Sequence, residues 1–391
     1  MLAIRAARMF DGGRFSDGAV TVLVEDGRIV GVERGLLDVS DGWRVLDHPD
    51  GTVLPGLIDS HVHLVTDSEM GALDRVSASS DDELDVVITE GLRRQLAAGV
   101  TTVRDLGDRR FNVVVRRDRQ RSGGVGEPEP TILASGPPLT SIGGHCHYMG
   151  GEVAGAEAIT AAVDERVERG VDIVKVMASG GMGTLGTDVL GTQFSTEEMR
   201  LLVQRVHAAG LPVTAHAHSL SAVEQAIQVG VDGIEHCSCL TPTGPKVIDE
   251  VLAGLVDGGI FVGGALGAPP PAIAENAPPQ VRAMMQQRGI TPEAVRALLL
   301  EFRGRMYHAG VRFVAGADSG IAPHMAHGLL HRAVSFFVEA GASVTDALAA
   351  ATSVSAQACG VDDRKGWLRK GYDADVIVVN GDLRAGVGAL S

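Results

Sequence analysis

The sequence predicts an α/β fold, a (β/α)8 TIM barrel accompanied by a small β-sandwich domain formed by both termini, and three observations lead there. Short apolar, β-branched runs alternate with helix-like segments through the middle of the chain, as parallel βα units do. Several of those runs end in a residue with metal-ligand chemistry, and in a parallel barrel the C-terminal strand ends converge on one mouth. Both chain ends read as strands, not helices. The boundaries that follow are residues 1–52 plus 361–391 for the composite β domain and 53–360 for the barrel.

Taken in order, Ala3-Ile-Arg-Ala6, the run 19–24 and the run 25–32 are short strands, with Asp26-Gly27 as a hairpin turn. This segment is too small to bury a core by itself, and the strand-like stretch 366–379 supplies the pairing partner. The first barrel strand ends near Ile58 and is followed by a helix over 82–98. Strands over 101–105 and 131–135 come next, then a helix over 155–169 and a strand over 173–177. A helix over 196–209 precedes the strand 213–215, and one over 221–229 precedes the strand 233–235. A seventh strand at 260–263, a helix at 292–309 and an eighth strand at 312–317 close the count. Ser195-Thr-Glu-Glu198 carries capping-box spacing at a helix start. Two connections are longer than turns, 137–154 and 266–291, and both read as lids or specificity loops, with disorder as the alternative for the proline-rich second.

Composition narrows the function. In 391 residues, 45% are hydrophobic but only 4% aromatic, so the interior is aliphatic. A net charge of −15 disfavours nucleic acid or an anionic membrane as partner, and Arg116-Arg117-Asp118-Arg119-Gln120-Arg121, the densest basic run, reads as a solvated helix end. No apolar run reaches bilayer length and the start lacks a signal-peptide core, so the expected location is cytoplasmic and the expected partner a small-molecule substrate. The four cysteines lack disulfide-framework spacing; Cys237 and Cys239 beside His236 invite a thiolate zinc reading, but no second pair at finger spacing accompanies them. Oligomeric state is not legible, a homo-oligomer included.

His61 and His63 lie two apart at a strand end, so both imidazoles project from one face. Later strand ends add Lys175, His216, His236 and Asp318. Imidazoles and carboxylates suit divalent zinc, with His61, His63 and Asp318 able to hold one ion and His236, together with His216 or His218, a second. Lysine is the odd member, because an ammonium repels a cation; in a chain whose only lysines are Lys175, Lys246, Lys365 and Lys370, one sits inside Val-Lys-Val. His216 and His218 share a face, which leaves the choice of ligand between them open at this level. His145 and His147 occupy a glycine-rich loop and are candidate substrate contacts, and a third metal site from His145, Cys146 and His147 would need partners from elsewhere. His48, His207, His308 and His331 lie away from the strand ends, whereas His324 and His327 follow Asp318 and are further candidates for the pocket wall.

Pro55-Gly-Leu-Ile-Asp-Ser-His-Val-His63, the Lys175 strand running into Ala178-Ser-Gly-Gly181, the His216 and His236 strand ends, Ala315-Gly-Ala-Asp-Ser-Gly320 and the tail Lys370-Gly-Tyr-Asp-Ala-Asp-Val-Ile-Val-Val-Asn380 together resemble the amidohydrolase superfamily. Within it the set is similar to the imidazolonepropionase-like and Xaa-Pro dipeptidase-like branch of binuclear metal hydrolases. The resemblance implies His216 as the ligand, with His218 facing substrate, and carbon dioxide-derived carboxylation of Lys175 to a carbamate that bridges two ions. It further implies attack on an amide by a metal-bridging hydroxide, with Asp318 as proton shuttle. The substrate class is then a dipeptide or N-acyl amino acid. The alternative is hydrolysis or deamination of a cyclic amide or amidine, against which Lys175 argues, since that branch is typically mononuclear. Some superfamily members have lost their ligands and act in assembly or signalling; here every expected ligand type is present.

Overall fold

The computed structural model describes residues 1–124, 126–246, 248–264, 286 and 289–390. It opens with β1 (Leu2–Met9), β2 (Val20–Glu25), β3 (Arg28–Arg34) and β4 (Arg44–Pro55). Asp26 and Gly27 both adopt positive φ, 47° and 73°, the mirror-image turn whose twist suits a hairpin, and β2 and β3 pair antiparallel across it. Parallel-strand segments follow: β5 (Leu57–Val62), β6 (Val100–Asp105), β7 (Thr131–Ala134), β8 (Val174–Met177), β9 (Val213–Ser219) and β10 (Gly233–Thr241). After the two-residue β11 (Gly244–Pro245) come β12 (Phe261–Gly264), β13 (Arg312–Ala315) and, near the end, β14 (Val376–Asn380).

The terminal strands form one five-stranded sheet in the order β14-β4-β1-β2-β3. β4 is the strand not anticipated from sequence, because Pro49 and Gly51 interrupt its pattern; it pairs parallel with β1 and antiparallel with β14. β14 is shorter than the predicted 366–379 run. Gly366 and Gly371 take positive φ, and the segment between them folds back so that Lys365 meets Asp373 and Asp375 instead of extending a strand.

The remaining strands make an α/β fold with parallel sheets. β5-β6-β7 form one and β8-β9-β10-β12-β13 the other, every pair among these parallel, with β11 adding a short antiparallel edge to β10. Single parallel bridges join the two at both edges, Val62 to Ser319 and Leu139 to Val176. Val103, Ile132, Val174, Val176, Val213, Ala215, Ile234, Val262 and Ala315 are all buried, a small aliphatic interior that accords with the scarcity of aromatic residues.

Helices begin as their capping chemistry dictates. Ser195 accepts the Glu198 amide while Glu198 reaches back to Ser195, and Ser80 and Glu83 do the same at the helix Asp81–Ala97. Helices at Asp249–Asp257, Leu330–Glu339, Val344–Ala350 and Ser353–Ala358 were not among the sequence expectations, whereas the helix Asn112–Arg121 does end in the basic run. That helix corrects only the expected solvation of the basic run. Arg116 and Arg117 are buried, not solvated, because Glu129 and Asp172 arrive from distant positions to pair with them. The loop 266–291 lies largely outside the described residues. Among the described residues, no helix is long and apolar enough to cross a membrane.

Candidate metal centre

β5 continues past Ile58 to Val62 because its polar residues find buried partners. Asp59 accepts hydrogen bonds from the amides of Ala317 (3.0 Å) and His61 (3.3 Å), from Ser319 Oγ (3.0 Å) and from Gln95 Nε2 (3.1 Å). Ser60 Oγ donates to the Ala315 carbonyl at 2.7 Å. These bonds lash the end of β5 to the chain that follows β13, and the His63 amide donates to Ser319 while the Ser319 amide donates to His61. A Cβ at Gly316 would lie 2.7 Å from the His61 Cβ, so the close approach requires glycine. Asp318, at φ 51°, is thereby turned toward both histidines, its Oδ1 3.3 Å from His61 Nε2 and 3.2 Å from His63 Nε2.

The outer ring nitrogens of the pair face acceptors. His63 Nδ1–H donates to the Gly107 carbonyl at 3.2 Å, and His61 Nδ1 stands 3.1 Å from Glu235 Oε2. In neutral rings each Nε2 then carries a lone pair pointed at a carboxylate oxygen. Three acceptors converging in this way repel one another unless a proton or cation lies among them, and this is the test that a divalent ion satisfies. Where a proton takes that place it sits on His63: burial opposes its charge, but Asp318 holds the imidazole above its usual value. The Asp318 carboxyl, likewise against burial, is held far below the ordinary carboxylate range by His61, His63 and Lys175.

A second group stands beside the first. His216, His218 and His236 bring one ring nitrogen each to within 4.8 Å of one another, as His61, His63 and Asp318 do with their ligand atoms. Strand alternation places His216 and His218 on one face of β9. His236 enters from β10 where the backbone turns to positive φ at His236, Cys237 and Cys239. The His216 and His236 rings are 4.7 Å apart, His218 stacks on His236 at 4.6 Å, and His61 approaches His236 at 5.3 Å, which joins the groups. Burial first, then the other imidazoles, drives His216 and His236 well below the usual histidine value, so both are neutral.

Lys175 on β8 is 1% exposed and lies within electrostatic reach of both groups, acting on His61 and Asp318 in one and on His216 and His236 in the other. Burial lowers its amine to about 8, against the pull of Glu235 and Asp318. His145 is buried over His216, rings 4.6 Å apart, with Nδ1 2.8 Å from Thr184 Oγ1. The His147 ring instead meets Tyr148, because Cys146 at φ 56° turns the chain between the two histidines. His218 hydrogen-bonds Ser238 Oγ through Nδ1 at 3.0 Å and is grouped with the candidate ligands as closely as His216 is. His327 is buried against Gly91, Nε2 3.1 Å from the Thr66 carbonyl, and His324 lies in the 3-10 turn Pro323–Met325. Cys237 and Cys239 are buried free thiols and belong to neither ligand group.

Sequence reasoning missed Glu235, Arg104 and Asp105. Glu235 is buried; desolvation opposes its ionisation, yet His61 and Arg104 carry it down to about 2. Asp105 accepts the amides of Leu64 (2.7 Å) and Gly107 (3.1 Å) and shapes the turn that supplies the carbonyl to His63. A charged residue within an otherwise apolar strand, as in Val-Arg-Asp and Ile-Glu-His, was the available signal.

Buried imidazoles, a carboxylate and a lysine gathered along parallel strands make a candidate hydrolytic metal centre. The amidohydrolase family model matches residues 52–389, and the chain belongs to that family, as a hydrolase acting on carbon–nitrogen bonds. Ochratoxinase from Aspergillus niger is 26% identical over 364 residues, covering 85% of this chain and 71% of that protein. Among solved structures, a Xaa-Pro dipeptidase with bound methionine in its active site superposes with a TM-score of 0.83 at 24% identity, covering 100% of this chain and 96% of the other. A putative prolidase from Bifidobacterium longum does so with a TM-score of 0.78 at 27% identity, covering 100% and 91%.

Proposed function

We propose that the chain is a binuclear metal-dependent amidohydrolase that cleaves the amide bond of a dipeptide or N-acyl amino acid. The observation that carries this reading is the pair of ligand groups, His61, His63 and Asp318 beside His216, His218 and His236, with Lys175 buried within reach of both. The edge bridges Val62–Ser319 and Leu139–Val176 support closure of the parallel strands into a (β/α)8 barrel, with the terminal strands, paired in a single five-stranded sheet, as the flanking β domain.

In this reading His61, His63 and Asp318 hold one ion, and His216 and His236 the other, with zinc favoured by the donor set. Lys175, as the neutral amine, would add its nitrogen to the carbon of carbon dioxide and release one proton to water, and the carbamate so formed would supply anionic oxygens to the two ligand groups; its burial favours the uncharged form that this reaction needs. Bound divalent ions supply Lewis acidity toward a carbonyl and lower the pKa of water. Asp318 takes the proton from the attacking water and hands it to the departing amine nitrogen, which leaves poorly as an anion. His145 and His218 flank the reacting carbonyl, and His147 lies farther along the same loop as a contact for the rest of the substrate. The names of the dipeptidase and prolidase structures support a dipeptide-like substrate.

The test is a screen of dipeptides and N-acyl amino acids, with cyclic amides and amidines alongside, on protein reconstituted with zinc and bicarbonate. Turnover confined to the linear amides is the expected result. Turnover confined to the ring compounds would replace this reading with the cyclic one.

A further inference from the structure

Beneath His61 lies a charged cluster that no ligand group contains. Glu235 Oε1 accepts from Arg104 Nη2 (3.1 Å) and Thr214 Oγ1 (2.9 Å), and Arg104 is itself pinned by donating to the carbonyls of Ser60 (2.8 Å) and Ala358 (3.2 Å). The other oxygen, Oε2, lies 3.1 Å from His61 Nδ1, and among the described residues these two buried atoms have no hydrogen-bond partner, so each is the nearest polar group left to the other. Room for this carboxylate is made by a glycine on the neighbouring strand: a Cβ at Gly263 would lie 1.8 Å from Glu235 Oε2. Exposure is 1% for His61, 1% for Glu235 and 4% for Arg104.

An ion pair that merely filled the interior would need only the Arg104 contact. Buried pairs of that kind add little stability over apolar replacements of the same shape. The second oxygen is aimed at the one nitrogen of His61 that does not face Asp318.

We propose that Glu235 is a positioning residue that fixes His61 as the Nδ1–H tautomer and so presents the Nε2 lone pair to the ion site, with Arg104 and Gly263 holding the carboxylate in place. The inference rests on the metal reading above only for its consequence; the tautomer is a property of the metal-free chain. A carboxylate behind a ligating imidazole also makes the ring a stronger donor.

Glu235→Gln separates this role from a structural one. The glutamine oxygen stays with its two donors, Arg104 and Thr214, and its amide N–H is then turned on His61 Nδ1. That nitrogen must now accept, which moves the ring proton to Nε2 and blocks the ligand position. Nitrogen-15 NMR of the chelator-treated full chain, with the His61 signal assigned by His61→Gln, is expected to show the Nδ1–H form in the native protein and the Nε2–H form in E235Q. Zinc affinity is expected to fall by about 10- to 100-fold in E235Q. It should be unchanged in Thr214→Val, which removes a bond to Oε1 alone. An Nε2–H tautomer in the native chain overturns the proposal without recourse to any variant, as does native-like zinc affinity in a folded E235Q. If the native chain takes up no zinc, the binuclear reading fails, and the tautomer measurement still decides the role of Glu235.

Discussion

Replacing Asp318 by asparagine removes a proton acceptor and leaves almost everything else in place. The residue sits at φ 51°, a left-handed conformation that asparagine tolerates better than other substitutes, and the side chain keeps its shape and one oxygen. That oxygen can still face His61 and His63 from the present 3.3 and 3.2 Å, so folding and most metal uptake should survive. The amide cannot carry a proton from water to the leaving nitrogen. General acid–base transfer of this kind contributes about 10²- to 10⁴-fold, or roughly 3–5 kcal/mol of barrier. Steady-state kinetics on the best substrate from the screen, at matched metal content, should therefore show kcat reduced by at least about 100-fold with KM little changed. A D318N protein of normal metal content and near-native kcat would refute the assigned role.

Other expectations follow from the same geometry. Gly316→Ala forces a methyl group against the His61 Cβ, 2.7 Å from where it would stand, and should cost about 1–3 kcal/mol in urea unfolding; an unchanged midpoint would mean that the strand ends yield more readily than described. Burial lowers His327 to about 4, so between pH 6.5 and about 4 the unfolded chain binds the extra proton and stability falls as pH falls. That contribution is at most about 3 kcal/mol and is absent above pH 6.5, and His327→Gln should flatten the acid limb of stability against pH; a curve as steep as the native one would remove His327 from the account. Reconstitution with carbon-13 bicarbonate should give a carbamate resonance in the native protein that Lys175→Gln lacks, and its persistence in that variant would place the modification elsewhere.

What the sequence made legible is what local chemistry encodes. A ligand-type side chain at the end of a β-branched run is visible without knowing the neighbours, and His61, His63, Lys175, His216, His236 and Asp318 are all brought to one cluster. Pairings between distant strands were not visible. Glu235 is recognisable as a partner of His61 only once β5, β6 and β10 are brought together, with Arg104 contributed from 131 positions earlier. Arg116 and Arg117 read as solvated for the same reason, since Glu129 and Asp172 become neighbours only in the folded chain. His145 and His147 look equivalent in a glycine-rich loop, and the positive φ of Cys146 is what separates them. β4 escaped notice because a proline and a glycine within one strand look like a turn until the partners on both sides are known.

The central claim is that two ions are held by these six side chains, and elemental analysis of the chain after reconstitution with zinc and bicarbonate tests it most directly. About two zinc ions per chain are expected, falling when Lys175 is replaced by glutamine. Fewer than one ion per chain in the folded native protein, or full occupancy that ignores the loss of Lys175, would contradict it.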